Sequence, residues 1–457
     1  MTKGRPLRLI LSFALPLLLG NLLQQTYSLT DTAIVGRFLG PSALAAVGAT
    51  SSVQFLVLGF AIGTCSGLGI PMAREFGANH LSGLRRNIYN AMFLMGGSAL
   101  VLTAVSLFMT DQILRVLNIP PEIYTDTKAY ISLIFLGIPA TLLYNFSATV
   151  LRSIGDSKAP FAFLAMSAFL NILLDLFCVS VLKTGCAGTA AATAVSQAVS
   201  GAAGTFYIIK RYPLLHFEKN EKQLQPSLIR DLALMAYPMG LQFSITAIGS
   251  MVMQAANNAL GSIYVSAMTA AARIKQFAMC PFDAIGSAVS TFVSQNDGAD
   301  KGRRARDGLI IGARISISYG ILIGLILIFC GRGLSRLFVS REETAILDAS
   351  AKLLVANGAF YWLLAILNVC RPTVQSLGHT GRAMFAGVLE MIARTLACVF
   401  FVPLYGFGAI CFTDPLAWIG AAAFVAVTAR RELDAAAARS DSKLAPLYEK
   451  IGVAMPR

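Results

Sequence analysis

Four polar side chains stand in an apolar stretch near the start of the chain: Asn21, Gln24, Ser28 and Asp31. Spacings of three, four and three put them on one face of a helix. Further on, Asn171 and Asp175 are one turn apart in another apolar stretch, and Thr193 and Gln197 repeat that spacing in the next. An ionisable group inside a bilayer costs about 2.5–3.5 kcal/mol on insertion scales, so each needs a partner or a task. Two carboxylates sharing a poorly solvated pocket cannot both carry charge cheaply. Asp31 and Asp175 could therefore take up a proton near neutral pH. Together with the oxygens of Asn171 and Thr193 they could instead ligate Na⁺. The plain alternative is that each acid only closes an interhelical hydrogen bond worth ~0.6–2 kcal/mol. Gln24, Ser28, Gln197, Asn257 and Arg273 are candidates to line a substrate cavity. Pro16, about four turns before Asp31, removes a backbone donor and permits a bend. Glu390 and Arg394 are one turn apart and are expected to pair. Arg273, Lys275 and Asp283 lie inside one further stretch, as cavity lining or as structural ion pairs.

The elements that position these residues follow from composition. Of 457 residues, 56% are hydrophobic and 13% charged. Soluble domains carry roughly a quarter charged residues, so a polar skin is missing, and disorder is excluded by the same balance. About 20 helical residues cross a bilayer core. Twelve such stretches are present, near 9–33, 43–70, 88–109, 129–150, 160–182, 187–208, 231–258, 264–292, 308–330, 352–370, 384–403 and 406–428. The alternating pattern of a membrane β-barrel is absent. The expected fold class is an all-α polytopic membrane protein of twelve transmembrane helices. Lys3, Arg5 and Arg8 precede the first stretch as in a signal peptide, but no small-residue cleavage site follows, and it reads as a retained first span. The eight cysteines form no C-x-x-C pair, and the three histidines lie far apart, so no cofactor or metal cluster is expected beyond a coupling ion.

A net charge of +14 suggests nucleic acid until the charges are placed. With the N-terminus inside, Arg74, Arg85, Arg86, Arg152, Lys158, Lys210, Arg211, Lys219, Lys222, Arg230, Lys301, Arg303, Arg304, Arg306 and Arg382 all face the cytoplasm. So do the tail cations Arg430, Arg431, Arg439, Lys443, Lys450 and Arg457. The opposite side keeps Arg37, Arg115, Lys128, Lys183, Arg332, Arg336, Arg341 and Lys352. The positive-inside rule thus places both termini in the cytoplasm and removes the need for a nucleic-acid partner.

The two halves of the chain resemble each other at an offset near 221 residues. Leu39-Gly40 answers to Leu260-Gly261, Gly77-Ala78 to Gly298-Ala299, and Ser153-Ile154-Gly155 to Ser376-Leu377-Gly378. The expected organisation is a six-helix lobe over 1–209, a cytoplasmic linker over 210–230, a second six-helix lobe over 231–430 and a cytoplasmic tail over 431–457. Six spans per half make the repeats parallel, and rocking of two such bundles is a route to alternating access. Asp31, Asp175 and Thr193 can share one depth, in the outer half of the first lobe.

The segment PLLLGNLLQQTYSLTDTAIVGRFLGPSALAAVG (16–48) resembles the first two helices of the multidrug and toxic compound extrusion (MATE) transporters. AREFGANH after the second span, RSIGDSK after the fourth, LNILLD in the fifth, VSTFVSQN (289–296) and DPLAW (414–418) are similar too, most like the DinF- and MepA-type members. The resemblance implies a cation-coupled antiporter that exports amphipathic, often cationic, organic compounds from the bacterial cytoplasmic membrane. It places coupling at Asp31, with Asn171, Asp175, Thr193 and Asn145 in the same pocket and Pro16 as the bend. Leu176 departs from a Pro common after the fifth-helix Asp. The seventh helix has Gln254, Ala255, Ala256 and Asn257 where some members carry a Glu, and the core of the tenth has no acid. Coupling should therefore rest on the first lobe, with H⁺ favoured over Na⁺. A monomer in the bilayer, acting on small organic substrates, is expected. A lipid or glycan-lipid flippase is the alternative. An enzyme is not expected, since no catalytic cluster stands at a membrane face.

Overall fold

The computed structural model describes residues 1–117 and 119–451, with side chains to residue 442. The side chains of Lys443 and Lys450, and Arg457, lie outside the described residues. All regular structure among them is helical. Ten helices are long and apolar enough to cross a membrane: Pro6–Leu39, Pro41–Gly77, Leu81–Phe108, Pro121–Ser153, Lys158–Ser180, Pro226–Asn258, Ser262–Gly298, Gly302–Ser335, Thr380–Tyr405 and Phe407–Ser442. The pair Thr344–Ala359 and Tyr361–Ser376, bent by 55°, makes an eleventh. Gly185–Arg211 completes the series; its Ala, Gly, Ser and Thr content makes it less apolar than the others although it runs 27 residues. In chain order these are the twelve helices expected, and they are called the first to the twelfth below. Leu100, Phe108, Phe329 and Leu404 are all more than 70% exposed, which a lipid solvent accepts and water does not.

Two compact units are present: Pro16–Met72 with Leu81–Ala247, and Met1–Leu15 with Ala73–His80 and Ile248–Arg457. The first contains helices three to six and most of the first, second and seventh. In it, the sixth helix approaches the fourth through glycines: a Cβ on Gly201 would meet the Tyr144 backbone nitrogen at 2.8 Å, and one on Gly204 the Ser147 Oγ at 2.7 Å. Small residues permit such contact where no hydrophobic effect drives helices together. Asp156 starts the fifth helix, its Oδ1 accepting the backbone N–H groups of Lys158 and Ala159 at 3.0 and 3.1 Å. Its Oδ2 accepts the Tyr212 hydroxyl at 2.8 Å, so the end of the sixth helix is tied to the start of the fifth. Ser200 adds a bond to the Phe163 carbonyl at 3.1 Å.

In the second unit the ninth helix carries a small-residue row every four positions, Gly308, Gly312, Ser316, Gly320 and Gly324, all buried. Ideal Cβ atoms on Gly320 and Gly324 would sit 2.9 and 2.3 Å from the Tyr361 and Gly358 carbonyl oxygens. The tenth helix is thus seated at its bend against this row.

The backbone repeats as the sequence does. Positive φ occurs at Gly40 and Gly261 (86° and 110°), Asn79 and Asp300 (57° and 52°), Gly155 and Gly378 (94° and 90°), and Gly185 and Gly406 (64° and 55°). Each pair joins corresponding turns of the two halves, where a left-handed residue ends one helix before the next begins.

Candidate functional site

Asp31 sits near the end of the regular first helix, immediately before a π-helical turn over Val35–Leu39. Such turns displace the following side chains and recur at functional sites. The turn is anchored by Val35, buried in a cluster with Ala43, Tyr130, Ile134, Cys186 and Ala190 from three neighbouring helices. Asp175 is fully buried in the fifth helix, and its carboxyl group lies within hydrogen-bonding reach of Asp31. Asn171, one turn earlier, is 2% exposed. Its amide nitrogen donates to Asp175 Oδ2 at 3.2 Å, and its oxygen accepts from the Thr193 backbone N–H at 3.3 Å, with Thr193 Oγ1 at 3.2 Å. Oδ1 of Asp31 and Oδ1 of Asp175 are buried without a hydrogen-bond partner, as is Oε1 of Gln197. Two carboxylates and an amide oxygen are therefore left with acceptor capacity and nothing to fill it, an arrangement completed by a cation or a proton.

Beside this pair is a small cleft lined by Tyr27, Leu164, Ser167, Ala168, Asn171, Thr193, Ser196 and Gln197. Tyr27 and Tyr130 were not among the residues expected. Tyr27 lies one turn before Asp31 on the same side of the first helix, a spacing that could have marked it; Tyr130 comes from the fourth helix and carries no local signal. Both hydroxyl groups lie close enough to Asp31 to feel its charge.

The remaining candidates are more dispersed. Gln24 and Ser28 are exposed on the first helix, on the stripe that leads to Asp31. Asn145 does not line the cleft; its amide donates to the Thr141 carbonyl of its own helix at 2.8 Å. Pro16 lies inside a continuous first helix. Asn257 lies at the end of the seventh helix. It is 0% exposed, and its amide donates to the Tyr264 carbonyl at 3.1 Å, which ties the seventh helix to the eighth. Arg273 is half-buried on the eighth helix, and Asp283 is exposed two to three turns later. Glu390 and Arg394 pair at 3.5 Å as their spacing implies. Asp414, noted in the sequence only within a motif, joins Lys275 to Arg394.

A duplicated helical membrane protein with acids and amides gathered inside one unit is the architecture of a secondary transporter. The MatE family profile matches residues 16–177 and again 238–400, one match per half, and the chain belongs to that family. It is a multi-pass membrane transporter and not an enzyme. It is similar to the probable multidrug resistance protein YpnP of Bacillus subtilis, 29% identical over 75% of this chain and 76% of that protein. The probable multidrug resistance protein NorM of Thermotoga maritima is 23% identical over 87% of this chain and 85% of its own length. Among solved structures, an outward-facing multidrug resistance MATE transporter superimposes with a TM-score of 0.89 at 19% identity, covering 95% of this chain and 97% of that one.

Proposed function

We propose that this transporter exports small amphipathic organic compounds, including cationic drugs, in exchange for a cation taken up at Asp31 and Asp175, with H⁺ preferred over Na⁺. The observation that carries the reading is the pairing of two carboxyl groups inside the bilayer, each with a buried oxygen that no protein group satisfies. A proton or a metal ion removes the repulsion of such a pair, and its departure restores it. Asn171 and Thr193 fix the geometry of Asp175. The first helix, with its π turn beyond Asp31 and Pro16 before it, is the element that responds. Ion and drug are coupled because each has a different affinity for two conformations of the carrier. Absence of acids from the cores of the seventh and tenth helices supports coupling through this pair alone.

Related proteins bearing multidrug-resistance names support the choice of substrate, and they give no support to the flippase alternative. The bias of Lys and Arg supports both termini in the cytoplasm of a bacterial cell. A monomer suffices, since one chain carries both repeats.

The test is efflux of a fluorescent organic cation from vesicles under an imposed pH gradient alone, then a Na⁺ gradient alone. Wild-type efflux should follow the pH gradient, with Asp31→Asn and Asp175→Asn each lowering it by at least about tenfold, a loss of ~1.4 kcal/mol in driving interaction. Undiminished gradient-driven efflux in both variants would falsify the assignment, and a response to Na⁺ alone would replace the proton.

A further inference from the structure

The second unit holds a charge cluster that the coupling pair does not use. Lys275 of the eighth helix donates to Asp414 Oδ2 at 2.5 Å and to Asn357 Oδ1 at 2.7 Å, with its ammonium 5.9 Å from the Trp418 ring. Arg394 of the eleventh helix donates through Nε to Asp414 Oδ1 at 3.0 Å and through Nη2 to Glu390 Oε2 at 3.5 Å. Arg371 of the tenth helix donates through Nη2 to Glu390 Oε1. Three cationic and two anionic side chains are thus linked, all from within membrane-spanning helices.

The bookkeeping of donors is as uneven as that of charge. All four oxygens of Asp414 and Glu390 are occupied by these bonds. Nε of Arg371 and Nη1 of Arg394 are buried with no acceptor, and so is the hydroxyl of Tyr361, which lies close to Asp414. The Arg394 side chain is 7% exposed, and its free Nη1 points toward Gly249, where an added Cβ would lie 3.5 Å from it. A network evolved only to hold helices together closes with its charges balanced and its donors used, because a surplus buried charge is costly. This network closes one negative charge short, and every orphan in it is a donor.

We infer that the cluster of Arg371, Arg394, Lys275 and Tyr361 is a binding site for an anionic group, a carboxylate or a phosphate. Planar guanidinium groups match the oxygens of both. Arg371 and Lys275, with side chains 13% and 18% exposed, are the least buried members of the cluster. The group belongs either to a transported organic compound or to a free inorganic anion. The site is distinct from the Asp31–Asp175 pair, and only the transport arm of its test rests on the export reading.

Trp362 and Trp418 are the only two tryptophans, so the Trp362→Phe protein reports on Trp418 alone, next to Lys275. In that background, in non-ionic detergent, benzoate and inorganic phosphate are titrated against a chloride baseline while emission and thermal unfolding are followed. A saturable emission change with raised Tm is expected for at least one of them. Arg371→Gln should weaken it by about tenfold or more, the scale of one charge-assisted hydrogen bond. The double variant Arg371→Gln/Glu390→Gln, which restores the positive surplus, should bind more tightly than Arg371→Gln. Counterflow of labelled benzoate in vesicles assigns the site to a transported carboxylate; saturable binding of phosphate without benzoate assigns it to a free anion. The inference is overturned if the folded wild-type protein responds to neither probe beyond chloride, or if Arg371→Gln binds as well as wild type. Neither reading depends on Asp31 or Asp175, so failure of ion coupling leaves this result legible.

Discussion

At the scale of single residues, Thr193 and Asn171 set how Asp175 is presented. Thr193 Oγ1 is 3.2 Å from the Asn171 side chain and donates to the Thr189 carbonyl at 3.1 Å. Thr193→Val keeps shape and removes the hydroxyl, a loss of ~1 kcal/mol, or about fivefold in gradient-driven efflux. Thr193→Ser should retain wild-type efflux. Equal rates for Val and wild type in the vesicle assay would remove the hydroxyl from the site. The acids, the amide and this threonine were legible in the sequence because polar residues one turn apart are conspicuous inside apolar helices. Tyr27 and Tyr130 were not, since an aromatic ring in a membrane span is ordinary packing until its neighbours are known. The link between Lys275, Asp414 and Arg394 was equally hidden: it joins three helices far apart in the chain, and no periodicity reports on such a contact.

At the scale of elements, length and apolarity disclosed all twelve helices, while the fit between them stayed out of reach. The ninth helix shows why. Its row of Gly308, Gly312, Ser316, Gly320 and Gly324 has a period of four that reads as weak helix propensity in water, but inside a bilayer it is a contact surface. Gly324→Leu would drive a side chain into the Gly358 carbonyl and should cost ~1–3 kcal/mol or more, read as a lowered Tm in detergent. Leucine at Gly333, whose added Cβ meets nothing within 4 Å, is the control and should leave Tm unchanged.

The connection between the sixth and seventh helices is a different kind of element, held by charge. Glu221 is 1% exposed and receives Arg85 through Nε at 2.6 Å and Nη2 at 2.8 Å, while it also accepts the Glu218 backbone N–H at 2.9 Å. The Arg85 bond, then that backbone N–H, hold its carboxyl down at about 2. A depressed carboxylate contributes stability that is complete above its unfolded pKa of 4.5 and is lost only as pH falls toward about 2. Hydrogen exchange of 213–225, corrected for intrinsic rates, should therefore show the same protection at about pH 5 as at neutrality. Glu221→Gln should lose that protection at every pH and speed tryptic cleavage at Lys219 and Lys222. A segment equally protected in the variant would show that the ion pair does not hold it.

At the scale of the whole molecule, duplication is what the two halves share, and it has a sharp consequence where Ala73–His80 joins the second unit. A Cβ on Gly77 would lie 2.0 Å from the Gln295 carbonyl oxygen, and a Cβ on Gly298 would lie 2.0 Å from that of Arg74. Gly77 and Gly298 are repeat partners, as are Arg74 and Gln295, so one contact is made twice with the roles exchanged. Arg74 adds an ion pair to Asp297 at 2.9 Å. The sequence showed the paired glycines as marks of an ancient repeat, yet it could not show that they touch each other's helices. Real Cβ atoms do not approach a carbonyl oxygen so closely, so Gly77→Ala and Gly298→Ala must each push the second and eighth helix ends apart. Each should cost ~1–3 kcal/mol. Because the two contacts are equivalent, the losses in Tm should be similar, and the double variant should lose less than their sum, since one displacement relieves both clashes. Strictly additive losses would show two independent contacts and break the argument from symmetry.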